Sequence, residues 1–156
     1  MTTTWTAKLS ELGIELPNVA APVAAYVPAT KVGNQVWTSG QLPLIDGALP
    51  ATGKVGGAVS EEDAYGYARQ AALNAIAAVD ALVGVDNIAR VLKIVGFVAS
   101  EPSFTGQPAV INGASDLMKE VFGEAGEHAR SAVGVAVLPM DTPVEVELVV
   151  ELKEGA

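Results

Sequence analysis

Apolar and acidic residues alternate along Val144-Glu145-Val146-Glu147-Leu148 near the end of the chain. A period of two predicts a strand with Val144, Val146, Leu148, Val150 and Leu152 on one face and Glu145, Glu147 and Glu151 on the other. The apolar run Ser131 to Leu138 predicts a strand just before it, with a short turn at Pro139 to Pro143 between the two. Ile88 to Ala99, rich in Val and Ile, predicts a third strand. Val36-Trp37-Thr38-Ser39 predicts another, entered by a turn at Gly33-Asn34, continued by Leu42 to Leu44 and left by a turn at Asp46-Gly47. The glycine- and proline-rich stretch Gly47 to Gly57 reads as a surface loop.

Helical spacing appears in two long segments. After Ser60, an N-cap followed by an acidic first turn, Ala64, Ala68, Ala71, Ala75, Val79 and Leu82 recur on one face. Gly84 ends that helix. Pro108 to Phe122 places Ile111, Ala114, Leu117, Met118 and Val121 inward, and Gly123 stops it. Ala7 to Leu12 predicts a short helix bounded by Gly13 and Pro17. The order strand, strand, helix, strand, helix, strand, strand predicts an α+β fold with two helices on one face of a mixed sheet. The opposite face would expose residues such as Val133 and Val149, which implies a covering partner, most simply further copies of the chain. We expect one domain over residues 1–156, with an N-terminal extension of residues 1–21 that carries the short helix.

Composition narrows the chemistry. Eighteen Asp and Glu against nine Lys and Arg give a net charge of -9. That balance, with no basic run, speaks against nucleic-acid binding. No apolar stretch approaches the ~20 residues of a membrane span, and the N-terminus does not read as a secretory signal. With no cysteine there is neither a disulfide nor a thiol nucleophile, and a cytoplasmic setting is expected. The lone histidine, His128, cannot by itself make a metal site, and Gly53, Gly56 and Gly57 do not form a phosphate loop. Arg130 stands out in this acidic chain. Its planar guanidinium suits bidentate capture of a carboxylate, although a salt bridge to one of the many acids is the alternative. Glu145 is either part of a solvated face or part of a cleft. Tyr26, Ser39 and Asn112 have equally plain readings, as packing, turn-satisfying and surface residues.

Ala25-Tyr26-Val27, the segment Val36 to Pro43 with its Ser39-Gly40-Gln41-Leu42-Pro43, Ile111-Asn112, Ala129-Arg130-Ser131, Leu138-Pro139 and Val144-Glu145-Val146-Glu147 together resemble the reactive intermediate/imine deaminase family (Rid, or YjgF) over roughly Pro22 to Leu152. The resemblance implies a chorismate-mutase-like fold in a homotrimer with clefts between subunits. It also implies cofactor-free hydrolysis of 2-imino or 2-enamino acids to a 2-oxo acid and ammonia. By the same resemblance Arg130 binds the substrate carboxylate, and Tyr26, Ser39, Gly40 and Asn112 line the cleft. The Ala132 carbonyl and Glu145 hold the water, and no metal is needed. Three positions depart from the family pattern. Ala132 stands where many relatives have cysteine. Gly134 and Val137 replace the acidic and basic residues common among imine deaminases. The alternative they leave is a non-catalytic binder of small carboxylates such as 2-oxo acids. Ribonuclease activity, attributed to some relatives, fits poorly with so acidic a chain.

Overall fold

The computed structural model describes residues 3–19 and 24–156. Pro22, where the resemblance begins, and the flanking residues 1–2, 20–21 and 23 lie outside that description. The elements run α1 (Trp5–Glu11), β1 (Ala29–Val32), β2 (Gln35–Thr38), α2 (Glu61–Val83), β3 (Ile88–Ala99), α3 (Gln107–Phe122), β4 (Ala129–Val135) and β5 (Val144–Leu152). The five strands form one sheet in the order β1-β2-β5-β3-β4. Only β3 and β4 pair in parallel; the other neighbours are antiparallel. The fold is therefore the expected α+β arrangement, a mixed sheet with α2 and α3 on one face.

Strand β5 organises the sheet. It sits at the centre, between β2 and β3, and Val144, Val146, Leu148, Val150 and Leu152 are all buried. In β3 the buried residues Ile88, Val91 and Ile94 fall three apart instead of two. Register shifts between Ile88 and Arg90 and between Val91 and Lys93 account for this, because each irregularity displaces the next side chain by one position. Beyond Ile94 the normal alternation returns, with Gly96 and Val98 facing the helices.

Helix α2 begins where the sequence predicts. Ser60 accepts a hydrogen bond from the Asp63 amide at 3.0 Å, and Glu61, Glu62 and Asp63 fill the first turn. Its alanines lie against the sheet, with Ala64, Ala68, Ala71, Ala75 and Val79 buried. Leu82, expected on the same face, is instead 47% exposed, because the helix ends one residue later and its last turn overhangs the sheet. Helices α2 and α3 touch through glycine. A methyl group on Gly113 would collide with the Tyr65 backbone carbonyl. Beyond that contact along the two helices, Tyr65 donates to Asp116 at 2.7 Å and Arg69 forks onto Glu120 at 3.2 and 3.1 Å.

The loops correct three other expectations. Leu42 to Leu44 do not extend β2. Only Gln41 pairs with β5, exchanging two hydrogen bonds with Val146 at 2.8 and 3.0 Å, and Pro43 has no amide to continue the ladder. The Leu42 and Leu44 carbonyls turn to Asn74 of α2. The Gly47–Gly57 stretch is not wholly a surface loop, because Val55 is fully buried and its amide donates to the Ala99 carbonyl at 2.7 Å. Strand β4 stops at Val135, short of Leu138, and the turn after it holds Met140 and Asp141 at positive φ. Among the described residues, no helix is long and apolar enough to cross a membrane.

The short N-terminal helix starts at Trp5, two residues earlier than expected, because Thr4 caps it. Trp5 donates to the Ile88 carbonyl at 2.7 Å and meets the Phe122 ring edge-on at 5.1 Å. Thr6 donates through both amide and hydroxyl to Asp86, and the hydroxyl bond holds the Asp86 carboxyl below the usual carboxylate range.

Because the obstacle at Gly113 is backbone and not a flexible side chain, Gly113→Ala should force the two helices apart. We expect a loss of about 1–3 kcal/mol, typical of overpacking, visible as a lower denaturation midpoint. An unchanged midpoint would show that α2 can slide without cost.

Candidate functional site

Edge strand β4 carries Arg130, Ala132 and Gly134 at alternate positions, so all three face α3. Ala132 packs against the core. The Arg130 guanidinium reaches α3, where one terminal nitrogen, Nη1, donates to Asn112 Oδ1 at 2.7 Å and to Ser115 Oγ at 3.2 Å. Asn112 and Ser115 are three residues apart and therefore neighbours on one helix face. Ser115 Oγ also lies 2.9 Å from His128 Nε2, and His128 Nδ1 lies 2.6 Å from the Gly126 carbonyl oxygen. Among the described residues, the ion pairs are Arg69–Glu120 and Arg90–Glu151. Arg130 has no carboxylate partner there.

A second cluster lies on the opposite face of the sheet. Glu145 alternates with the buried valines of β5 and so points away from the helices. It packs directly over Gly40: a methyl there would run into the Glu145 carboxyl group. Glycine at this position is thus a matter of space, not of backbone conformation. Gln41, next in the chain, is held against Val146, which keeps Gly40 beneath the carboxylate. Ser39 is fixed at both ends, its hydroxyl donating to the Val27 carbonyl at 2.6 Å and its amide to the Pro28 carbonyl at 2.8 Å. Tyr26 stands next to that carbonyl and is 55% exposed. Burial, and then the neighbouring Glu147, push the Glu145 carboxyl above its ordinary range.

The structure therefore gathers the seven candidate residues into two groups: Arg130, Asn112 and Ala132 on the helix side, and Tyr26, Ser39, Gly40 and Glu145 on the bare side. In register, Arg130 lies beside Ile94 and Glu145 beside Phe97, on opposite flanks of β3. That separates their backbones by about 10 Å along the strands and about 10 Å across them. A small molecule on Arg130 cannot reach Glu145 of the same subunit.

Sequence reading missed Ser115 and considered His128 as a metal ligand, not as a partner of Ser115. The spacing of Ser115 three residues after Asn112 was the available signal. It also missed Gln107. A side chain on Gly134 would meet the Gln107 amide nitrogen, which donates to Ser100 Oγ at 3.1 Å and the Phe104 carbonyl at 2.8 Å. A neutral amide thus occupies the space an acidic side chain at position 134 would need. A cleft of about 560 Å³ beside Gln41, Leu44 and Asn74 lies elsewhere, and its charged lining residues are Glu15 and Asp46, so it suits an anion poorly. Among the described residues, no three His, Asp or Glu side chains come together to hold a metal ion.

Comparison with known proteins bears on the fold and the family. The family model described as "YjgF/chorismate mutase-like, putative endoribonuclease" matches residues 6–152. The chain is 47% identical to Protein TCP17 of Trypanosoma cruzi, across 94% of this chain and 92% of that protein. It is 33% identical to a 2-iminobutanoate/2-iminopropanoate deaminase of Dermatophagoides farinae, across 90% and 95%. The crystal structure of protein Atu1372 from Agrobacterium tumefaciens superposes with a TM-score of 0.88 at 45% identity, across 96% of this chain and 92% of that one.

The raised Glu145 carboxyl makes a signed prediction about stability. A folded-state pKa above the unfolded one means the folded protein holds that proton more tightly. The stability it contributes is complete on the acid side and is lost as pH rises through the carboxylate range. Glu145→Gln should therefore melt higher than the parent near about pH 7, with the gap closing below the carboxylate range. A gap that widened on acidification would mean that the carboxylate is held by a favourable partner instead.

Proposed function

The chain belongs to the YjgF/Rid family, and from that premise we propose that it is a hydrolytic deaminase of small 2-imino and 2-enamino acids, releasing a 2-oxo acid and ammonia without a cofactor. The observation that carries the reading is Arg130. In a chain of net charge -9, this cation is oriented by a neutral amide and a neutral hydroxyl and keeps its charge for an incoming anion. A guanidinium so presented captures a planar carboxylate through two parallel hydrogen bonds. The names of relatives such as the deaminase of Dermatophagoides farinae support the same reaction class.

In the proposed reaction the Arg130-bound carboxylate fixes the neighbouring imine carbon. The Ala132 carbonyl accepts one hydrogen bond from a water, and Glu145 accepts another. Water oxygen adds to the protonated imine carbon while Glu145 takes the displaced proton. Glu145 returns that proton to nitrogen and then takes the hydroxyl proton as the carbon–nitrogen bond breaks, so that the carbonyl forms and the departing ammonia carries the proton away as ammonium. A carboxyl with a raised pKa is suited to both roles, because it gives and takes a proton closer to neutrality than an ordinary glutamate. Tyr26, Ser39 and Gly40 wall the cleft, and Asn112 holds the arginine.

Arg130 and Glu145 lie on opposite faces of one sheet, so the working site combines one subunit's Arg130 with a neighbour's Glu145. The bare face supplies the means of assembly. Trp37 is 50% exposed and Val133 44% exposed, and Phe97 and Val149 lie on the same face. The proposed assembly is a homotrimer with three shared clefts. The flank at Gly134, where the Gln107 amide takes the space of an acidic side chain, also supports a second reading, in which the same cleft binds 2-oxo acids without turnover.

The direct test adds the purified protein to an amino acid dehydratase reaction and follows imine loss against 2-oxo acid formation. Acceleration above the spontaneous rate supports the deaminase; saturable oxo acid binding without acceleration supports the binder. Arg130→Lys keeps the charge but loses the fork. We expect it to cost about 1.5–3 kcal/mol, roughly ten- to hundredfold in kcat/KM, with little change in melting temperature. Full activity with a broken assembly would instead make Arg130 an interface residue. Trp37→Glu should give folded monomers by sedimentation and abolish turnover although Arg130 is untouched. An active monomer would refute the shared cleft.

A further inference from the structure

We infer that His128, acting through Ser115, is a positioning residue that sets the edge of Arg130 offered to the substrate carboxylate. The inference rests on the reading of Arg130 as a carboxylate receptor, and it adds two side chains that neither the motifs nor the proposed reaction employ. The Gly126 carbonyl only accepts, so in the neutral imidazole the proton sits on Nδ1, 2.6 Å away. Nε2 is then an acceptor and takes the Ser115 hydroxyl proton at 2.9 Å. With its proton committed, Ser115 Oγ offers a lone pair to Arg130 Nη1 at 3.2 Å. The donors all point one way, from Arg130 to Ser115, from Ser115 to His128 and from His128 to the backbone. Each bond polarises the next.

The consequence is geometric. Nη1 carries two hydrogens, and Asn112 and Ser115 take both. Among the described residues, no hydrogen bond or ion pair engages Nε or Nη2 of Arg130. The free fork is therefore the side-on pair of Nε and Nη2, and the end-on pair of Nη1 and Nη2 is closed to the ligand. Without the Ser115 bond the guanidinium can turn about its last bonds, and part of its population presents the wrong edge. His128 immediately precedes β4 and is anchored to the turn Gly123–Gly126. The relay thus ties the orientation of Arg130 to the backbone just before its own strand.

The experiment uses the full-length protein and 2-oxobutanoate as the calorimetric probe, with steady-state imine hydrolysis alongside. Ser115→Ala and His128→Phe should each weaken 2-oxobutanoate about five- to tenfold, the typical net contribution of one hydrogen bond. KM should rise by a similar factor, with a smaller effect on kcat. Ser115→Thr, which keeps the hydroxyl, and His128→Gln, whose amide oxygen can stand near Nε2, should recover most of the affinity. A purely structural role predicts a lower melting temperature with no change in affinity among molecules that remain folded, and that result would overturn the relay. Arg130→Ala runs in parallel. If it leaves 2-oxobutanoate binding intact, the carboxylate reading itself fails. If it abolishes binding while Ser115→Ala and His128→Phe bind normally, only the relay fails.

Discussion

Everything in this fold depends on the strict two-residue alternation of β5. Because β5 is central, its valines and leucines must be covered by α2 and α3, and its glutamates cannot follow them inside. A slip of one residue would put Glu145 and Glu147 under the helices, at a desolvation cost of several kcal/mol for each charge. The alternation therefore fixes more than the core. It fixes that Glu145 belongs to the bare face, that the segment above it must be glycine at position 40, and that Gln41 completes the pairing alongside.

The helix side is built by a different rule, closeness. Alanine at nearly every contact position of α2 lets the helix lie low on the sheet. Gly113 does the same between the helices, and Gly96 leaves room for Ile111 over β3. Such packing draws α3 down toward the edge strand, and only at that separation do Asn112 and Ser115 come within hydrogen-bonding distance of Arg130. The arginine's orientation is thus a remote product of small residues in the core. A core change that lifted α3 by about 1 Å would loosen the site without touching it.

Much of this was legible in the sequence wherever a short-range pattern decides the outcome. The alternation of β5, the Ser60 cap and the inward face of α3 depend on neighbours within a few residues, and each is where the sequence puts it. The exceptions share a different cause. Leu82 obeys helical spacing but overhangs the sheet; Val55 sits in a loop-like composition but pairs with the end of β3; the period of three in β3 comes from irregular pairing with β5. Each is set by a tertiary partner that local composition does not encode. The same division runs through the candidate site. Arg130 and Glu145 were visible as residues, but their separation onto two faces follows from strand order. Ser115 and Gln107 acquire roles only because α3 and β4 run side by side.

The neutral surroundings of Arg130 carry the last step. An acidic chain could easily have paired this arginine with a carboxylate, as it does Arg69 with Glu120. A resident carboxylate would hold the guanidinium firmly, but an incoming anion would then have to displace a charge-assisted bond worth about 1.5–3 kcal/mol. The amide of Asn112 and the hydroxyl of Ser115 orient the same group while leaving its charge uncompensated. Both also sit on a helix already fixed by the core, so little conformational freedom remains to be lost when a ligand arrives. The acidic background serves the same end, because unpaired carboxylates elsewhere repel anions from the rest of the surface and leave this cation as a preferred landing point.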